Sequence, residues 1–280
     1  MTYSQININS LKNPELHEIL FTLDKAMKEF GIEFYLIGAR ARDFWLDAKN
    51  IPPRRFTEDI DFAIMMNSIE EFENLRDFLV NTGKFIKSNS FPQRMYTSDK
   101  TFMIDLLPFG KVEKTYYVLF KDKEKTRIST LGLKEVFEKS IPILIDINFE
   151  ILTASLPGIV VLKLIAWNDR PEVRSKDLAD IAFIIQNYFD LQDELIYEKY
   201  NRYFTDKFDV DQIAALALGS EIKEIIFLSE ILSKTILQIL NKHINLRVQS
   251  PLIQIISLEM NLEVDKVIDY FQLILQGIND

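Results

Sequence analysis

Apolar positions along the chain change rhythm once, near residue 150, and the change divides it. Leu16, Ile19, Leu20, Leu23, Met27 and Phe30 recur at helical spacing between Asn13-Pro14 and Gly31, a cap, a first-turn proline and a closing glycine. Phe34-Tyr35-Leu36-Ile37 then reads as a short apolar strand, Gly38 as a tight turn, and Asp43-Phe44-Trp45-Leu46 as part of a short helix. Ile51-Pro52-Pro53-Arg54-Arg55 must be an extended loop, because its prolines forbid regular structure. Beyond it the spacing predicts a strand through Asp59, a helix over 69–80 capped by Ser68 and closed near Gly83, and strands over 85–87, 94–97, 102–107 and 116–120. From Pro157 the pattern is amphipathic and helical, with candidates at 158–168, 176–188, 194–204, 210–218, 221–241 and 262–277. The expected fold class is α+β: a mixed β-sheet domain with flanking helices over residues 1–150, followed by an all-helical domain over 151–280.

Charges interrupt this pattern at a few places. In Thr57-Glu58-Asp59-Ile60-Asp61-Phe62 two carboxylates sit two apart in a strand, so they project to one side while Ile60 and Phe62 project to the other. Like charges so placed are relieved by a shared proton or by a divalent cation, and the metal pair is the sharper hypothesis. Met103-Ile104-Asp105-Leu106-Leu107 supplies a third carboxylate, either an edge or bulge residue or the third acid of a two-metal site. Gly38-Ala39-Arg40-Ala41-Arg42-Asp43 sets a helix start directly after a strand, where exposed N–H groups favour phosphate. Arg40 and Arg42 fall in that first turn, where a cation needs an anion or acid beside it. Arg40 is the candidate to face phosphate; Arg42 has Asp43 or Asp47 for a partner. Thr57 either bonds a phosphate or satisfies backbone.

Lys163 is the one charge within Val160-Val161-Leu162-Lys163-Leu164-Ile165-Ala166-Trp167; it either snorkels to solvent or reaches toward a triphosphate. Asp177 and Asp180 share a helical face by their spacing, and could accept bonds from Lys163, orient an incoming hydroxyl, or simply face water. A stripe of Ile225, Leu228, Ile231 and Leu232 is explained most simply by a helical core.

Composition narrows the chemistry. The 280 residues are 48% hydrophobic and 27% charged, those of an ordinary globular protein, without an apolar stretch long enough for a bilayer and without a cleavable signal, so a cytoplasmic protein is expected. With no cysteine and only His17 and His243, disulfides, thiolate zinc and a cysteine nucleophile are excluded, and a metal must be held mainly by carboxylates, which suits Mg²⁺ or Mn²⁺. The net charge of −9 argues against coating nucleic acid non-specifically but leaves room for local basic tracks at Arg54 and Arg55, at 121–127 and at 170–176.

A glycine turn followed by an Asp-x-Asp strand resembles the DNA-polymerase-β-like nucleotidyltransferase superfamily. Together Ile37-Gly38-Ala39-Arg40-Ala41-Arg42-Asp43, Thr57-Glu58-Asp59-Ile60-Asp61-Phe62, Leu162-Lys163-Leu164-Ile165-Ala166-Trp167 and Lys176-Asp177-Leu178-Ala179-Asp180 look like its AbiEii-type branch, whose toxin members belong to type IV toxin–antitoxin and phage-abortive systems. The resemblance implies an enzyme transferring a nucleoside monophosphate from an NTP to an acceptor hydroxyl, in some cases of tRNA, with an antitoxin as possible partner. It makes 1–150 the nucleotidyltransferase domain and 151–280 a helical domain completing the cleft. It also implies that Asp59, Asp61 and, by order and strand setting, Asp105 are catalytic metal ligands, that Gly38, Ala39, Arg40, Thr57 and Lys163 bind nucleotide, and that Asp177 or Asp180 supports catalysis. Many superfamily members carry Gly-Ser where this chain has Gly38-Ala39, so one phosphate-facing hydroxyl is missing. The readings that compete are a small-molecule acceptor, as in the aminoglycoside nucleotidyltransferases, and a non-catalytic nucleotide-binding relative.

Overall fold

Strands form where apolar residues can be buried on both faces, and the central ones here are apolar except at their site ends. This computed structural model describes residues 6–7, 13–52, 57–146, 149–204 and 209–280; Arg54 and Arg55, with most of the proline loop, lie outside them. The chain forms two compact units, Met1–Ser155 and Leu156–Asp280.

In the first unit the elements run β1 (Ile6–Asn7), α1 (Pro14–Glu29), β2 (Phe34–Ile37), α2 (Gly38–Ala48), β3 (Asp59–Met65), α3 (Ile69–Asn81), β4 (Phe85–Lys87), β5 (Arg94–Thr97), β6 (Met103–Phe109), β7 (Tyr117–Leu119), β8 (Arg127–Ser129), α4 (Leu133–Glu138), β9 (Ile141–Asp146) and β10 (Phe149–Thr153). Eight strands make one sheet in the order β1-β9-β10-β2-β3-β6-β5-β4, and β7 and β8 form a separate hairpin. The sheet is mixed: β3 is antiparallel to β2 but parallel to β6, and β5 returns antiparallel to β6. Tyr35, Leu36, Phe62, Ile64, Ile104 and Leu106 are buried along these strands, each large side chain contributing about 1.5–3 kcal/mol of apolar burial. Asn13 caps α1 through the Glu15 and Leu16 N–H groups, and Ser68 caps α3 through that of Glu71, as the sequence leads one to expect.

The second unit is helical among the described residues: α5 (Leu156–Asp169), α6 (Ser175–Lys199), α7 (Val210–Ile226), α8 (Glu230–Leu246), α9 (Pro251–Met260) and α10 (Val264–Asn279). The segments expected at 176–188 and 194–204 fall on the two sides of a kink in α6, where the non-helical Gln192 separates two helical stretches, the second ending at Lys199. One expectation is corrected. The helix expected over 221–241 breaks in two, because Ser229 accepts from the Leu232 N–H and starts α8. Ile225 and Leu232 are accordingly core residues, while Leu228 and Ile231 at the break are exposed. α7 and α10 cross in close contact at glycines: a Cβ on Gly219 would lie 2.1 Å from the Ile274 carbonyl oxygen, and one on Gly277 equally close to that of Leu216.

Candidate active site

The first unit gathers its charge at the end where β2 passes into α2. Ile37 is the register partner of Asp61 on β3, so the turn at Gly38 stands against the Asp61 side chain. Gly38 has φ +71°, and a Cβ there would lie 2.2 Å from Asp61 Oδ2. Glycine is thus required twice over, by backbone conformation and by space. Helix α2 starts at this turn with Ile37 as N-cap, no side-chain cap and no acid in its first turn, whereas α1, α3, α7, α8 and α9 are capped by Asn13, Ser68, Asp209, Ser229 and Ser250. Its first N–H groups are therefore not served by a side-chain cap. Trp45 donates from Nε1 to the Ala154 carbonyl at 2.9 Å and anchors the same helix to the chain leaving β10.

Asp59 and Asp61 lie two apart on β3, Asp59 exposed and Asp61 half-buried, with Ile60 and Phe62 buried on the opposite face. The Asp59 N–H donates to Thr57 Oγ1 at 3.2 Å, so this hydroxyl fixes the strand entry. Arg40 donates to the Thr57 carbonyl, which ties the first turn of α2 to the strand carrying the acids. Burial lowers its guanidinium from the ordinary arginine range, against the pull of Asp43, Asp47 and Asp59. Arg42 is buried and donates from Nε to Asp43 Oδ1 at 3.0 Å, one of the two partners expected for it.

Asp105 on β6 is the register partner of Asp61, so the two carboxylates are neighbours on one sheet face. Its other neighbour, Arg94 on β5, was not singled out by the sequence; the available signal was a lone arginine and a lone aspartate in successive strands. Arg94 grips both carboxylate oxygens, Nε to Oδ1 at 2.8 Å and Nη2 to Oδ2 at 2.7 Å. The bonds to Asp105 hold its guanidinium above even its ordinary range. Among the described residues no group of three or more His, Cys, Asp or Glu side chains is drawn together to hold a metal ion. Asp59 and Asp61 nevertheless fit a hard cation such as Mg²⁺, which takes one or two carboxylates and leaves its other positions to water and substrate phosphates.

In the second unit Lys163, buried in α5, donates to Asp177 Oδ1 at 2.9 Å and pairs with Asp180 Oδ2 at 2.7 Å, both on α6. Desolvation pulls the ammonium down, but Asp180 and Asp177 outweigh it and leave the lysine above its usual range. Arg174 stands 3.7 Å from Asp177, and Arg170 3.6 Å from Asp169, so two cations of the 170–176 track already face acids. The 121–127 track is different. It joins β7 to β8, and Lys111, Lys114, Lys121, Lys123, Lys125 and Arg127 are all exposed. The acids among them are largely spent internally: Glu113 accepts from the Gly110 N–H and the Thr130 hydroxyl, and Asp122 from both donors of Thr126.

The mixed sheet presents Asp-x-Asp beside a glycine turn that opens a helix, and the family that matches the chain is one of nucleotidyltransferases. The chain belongs to the nucleotidyl transferase AbiEii toxin family of type IV toxin–antitoxin systems, which matches residues 25–248. No curated protein sequence matches the chain. Among solved structures it is similar to the antibiotic-resistance factor ANT(2'')-Ia, at 14% identity and TM-score 0.39 over 68% of this chain and 89% of that one. It is likewise similar to an antigenic nucleotidyltransferase-like protein from Paracoccidioides brasiliensis (17%, 0.41, 68% and 90%) and to the Thermotoga maritima CCA-adding enzyme complexed with tRNA (14%, 0.34, 95% and 81%). Likeness this distant leaves activity to the family match and the chain's own residues. Among the described residues no helix is long and apolar enough to cross a membrane.

Proposed function

We propose that this nucleotidyltransferase moves a nucleoside monophosphate from an NTP to a hydroxyl of RNA, releasing pyrophosphate, with Mg²⁺ or Mn²⁺ held by Asp59 and Asp61. The observation that carries the reading is the contact of Gly38 with Asp61, which sets a helix N-terminus without a side-chain cap beside a same-face carboxylate pair. N–H groups of Gly38, Ala39 and Arg40 receive the triphosphate, backbone amides replacing the serine hydroxyl that position 39 lacks. Thr57 holds the strand entry, so that Asp59 and Asp61 keep one face. The acceptor oxygen attacks the α-phosphorus in line as the bond to pyrophosphate breaks, and the hydroxyl proton passes to solvent water. A hard cation on the pair would lower the pKa of that hydroxyl and neutralise charge on the phosphates.

The resemblance assigns Lys163 to the nucleotide and Asp177 or Asp180 to catalytic support. Its two carboxylates keep Lys163 an ammonium at physiological pH, and such a role would use the third N–H of the ammonium or exchange one carboxylate for a phosphate oxygen. RNA is favoured over a small acceptor by the exposed cations around the β7–β8 hairpin, set in a chain of net charge −9. Arg127 also lies 3.9 Å from the centre of the Tyr117 ring, a flat cationic face of the kind that meets nucleic acid. A toxin role with a protein antitoxin as partner is supported by the family match, and phage defence is part of the same reading.

The test is transfer of label from each α-labelled NTP to a pool of tRNA and total RNA, beside Lys121→Glu/Lys123→Glu/Lys125→Glu. Labelled RNA, with RNA affinity in the triple variant weakened and less salt-dependent, is the expected result. Label on a small molecule would move the reading to a small acceptor, and NTP binding without pyrophosphate release would make the chain a non-catalytic relative.

A further inference from the structure

The row of side chains across β3, β6 and β5 reads carboxylate, carboxylate, guanidinium: Asp61 beside Asp105, and Asp105 beside Arg94. Like charges directly opposite one another destabilise a sheet. The guanidinium at the end of the row relieves this one, and the fork-on-fork geometry at 2.8 and 2.7 Å engages both oxygens of Asp105. The pair is largely withdrawn from water, with side-chain exposures of 22% and 15%. Arg94 is held in place from its other side, its guanidinium 4.8 Å from the centre of the Phe91 ring, while its carbonyl and N–H bond Ser88 and Phe91. An arginine does not lose its proton, so the pairing persists over the whole working pH range.

We propose that Arg94 is the standing counter-cation of Asp105, withholding this carboxylate from metal, so that the site takes a divalent cation through Asp59 and Asp61 alone. The proposal rests on the nucleotidyl-transfer reading of that pair and adds to it a residue that sets how many acids the cation meets. A cation bound at Asp105 would have to displace a guanidinium already bonded to both oxygens, or sit against its charge. Arg94 is thus a positioning residue. It fixes Asp105 and balances that carboxylate's charge before any metal arrives.

The probe is Mn²⁺ alone, its free signal followed by electron paramagnetic resonance on the full chain without nucleotide. Asp61→Asn is expected to weaken Mn²⁺ binding at least tenfold, while Asp105→Asn stays within about twofold of the parent. Arg94→Gln, which frees a third carboxylate, is expected to bind Mn²⁺ at least fivefold more tightly or to take a second ion, and Arg94→Gln/Asp105→Asn to return to the parent value. A merely structural Arg94 would give no tightening. Melting temperatures identify any variant that fails to fold, and if Arg94→Gln does, the Asp105→Asn value decides. The proposal is overturned if Asp105→Asn weakens Mn²⁺ as much as Asp61→Asn, or if a folded Arg94→Gln binds no more tightly. Binding indifferent to both Asp59→Asn and Asp61→Asn overturns instead the metal reading of the pair, and the proposal with it.

Discussion

Each unit of the molecule brings charged side chains together, and it does so in opposite ways. In the first unit Asp59, Asp61 and Asp105 lie on a strand face open to solvent at Asp59, and Arg94 takes up the carboxylate farthest from the glycine turn. In the second, Lys163 is enclosed between Asp177 and Asp180, all three buried, with one ammonium facing two carboxylates. On the proposed reading the row beside the helix N-terminus receives a cation and phosphates. A closed triad keeps a lysine charged where an isolated buried ammonium would be neutral. The first arrangement reaches solvent at Asp59; the second is closed to it.

The largest effects are expected from the carboxylate row of the first unit. Asp61→Asn or Asp59→Asn is expected to lower nucleotide transfer by about 10³–10⁴-fold, about 4–5.5 kcal/mol of transition-state stabilisation, with no fall in melting temperature. In the closed triad the order reverses: Lys163→Met is expected to cost about 3–5 kcal/mol of folding stability in denaturant melts, because two buried carboxylates lose their partner. Replacing all three by Met and Leu should restore much of that loss. Gly38→Ala tests the join of turn and strand. It forces a side chain to φ +71° and against Asp61 Oδ2, and should cost about 1–3 kcal/mol together with a measurable drop in transfer rate.

The smallest expected effect separates the units by pH. His243 is buried with its Nδ1 2.9 Å from Ser250 Oγ, and desolvation, then Lys242, push it down to about 4 from an ordinary 6.5. Its folded pKa is depressed, so the unfolded chain takes up the proton first as the pH falls. Stability should be intact above about 6.5 and decline modestly as the pH falls toward 4, and His243→Gln should flatten that decline in urea melts.

Much of this was legible in the chain because the signals were local. The first helix announced itself by its cap and spacing, and β3 by alternation that put Asp59 and Asp61 on one side. The alternative that Lys163 is bonded by Asp177 and Asp180 could be read from helical spacing, although which of its possible partners it meets depends on how α5 and α6 pack. What escaped depends on distant parts of the chain. β9 contains Pro142, which hid a strand that finds its partners in β1 and β10. α9 follows a Ser250-Pro251 start that marks a helix, but its mostly apolar surface gave no amphipathic rhythm to follow. Arg94 meets Asp105 only through the register of an antiparallel pair, which one strand's composition does not encode.

The central claim is that the same-face pair on β3 drives nucleotide transfer. Its most direct test is release of pyrophosphate and label transfer from α-labelled NTP by the intact protein and by Asp61→Asn, across a Mg²⁺ titration. Transfer should rise with Mg²⁺ in the intact protein and be nearly absent at every Mg²⁺ concentration in the variant. Transfer by a folded Asp61→Asn protein at an undiminished rate would contradict it.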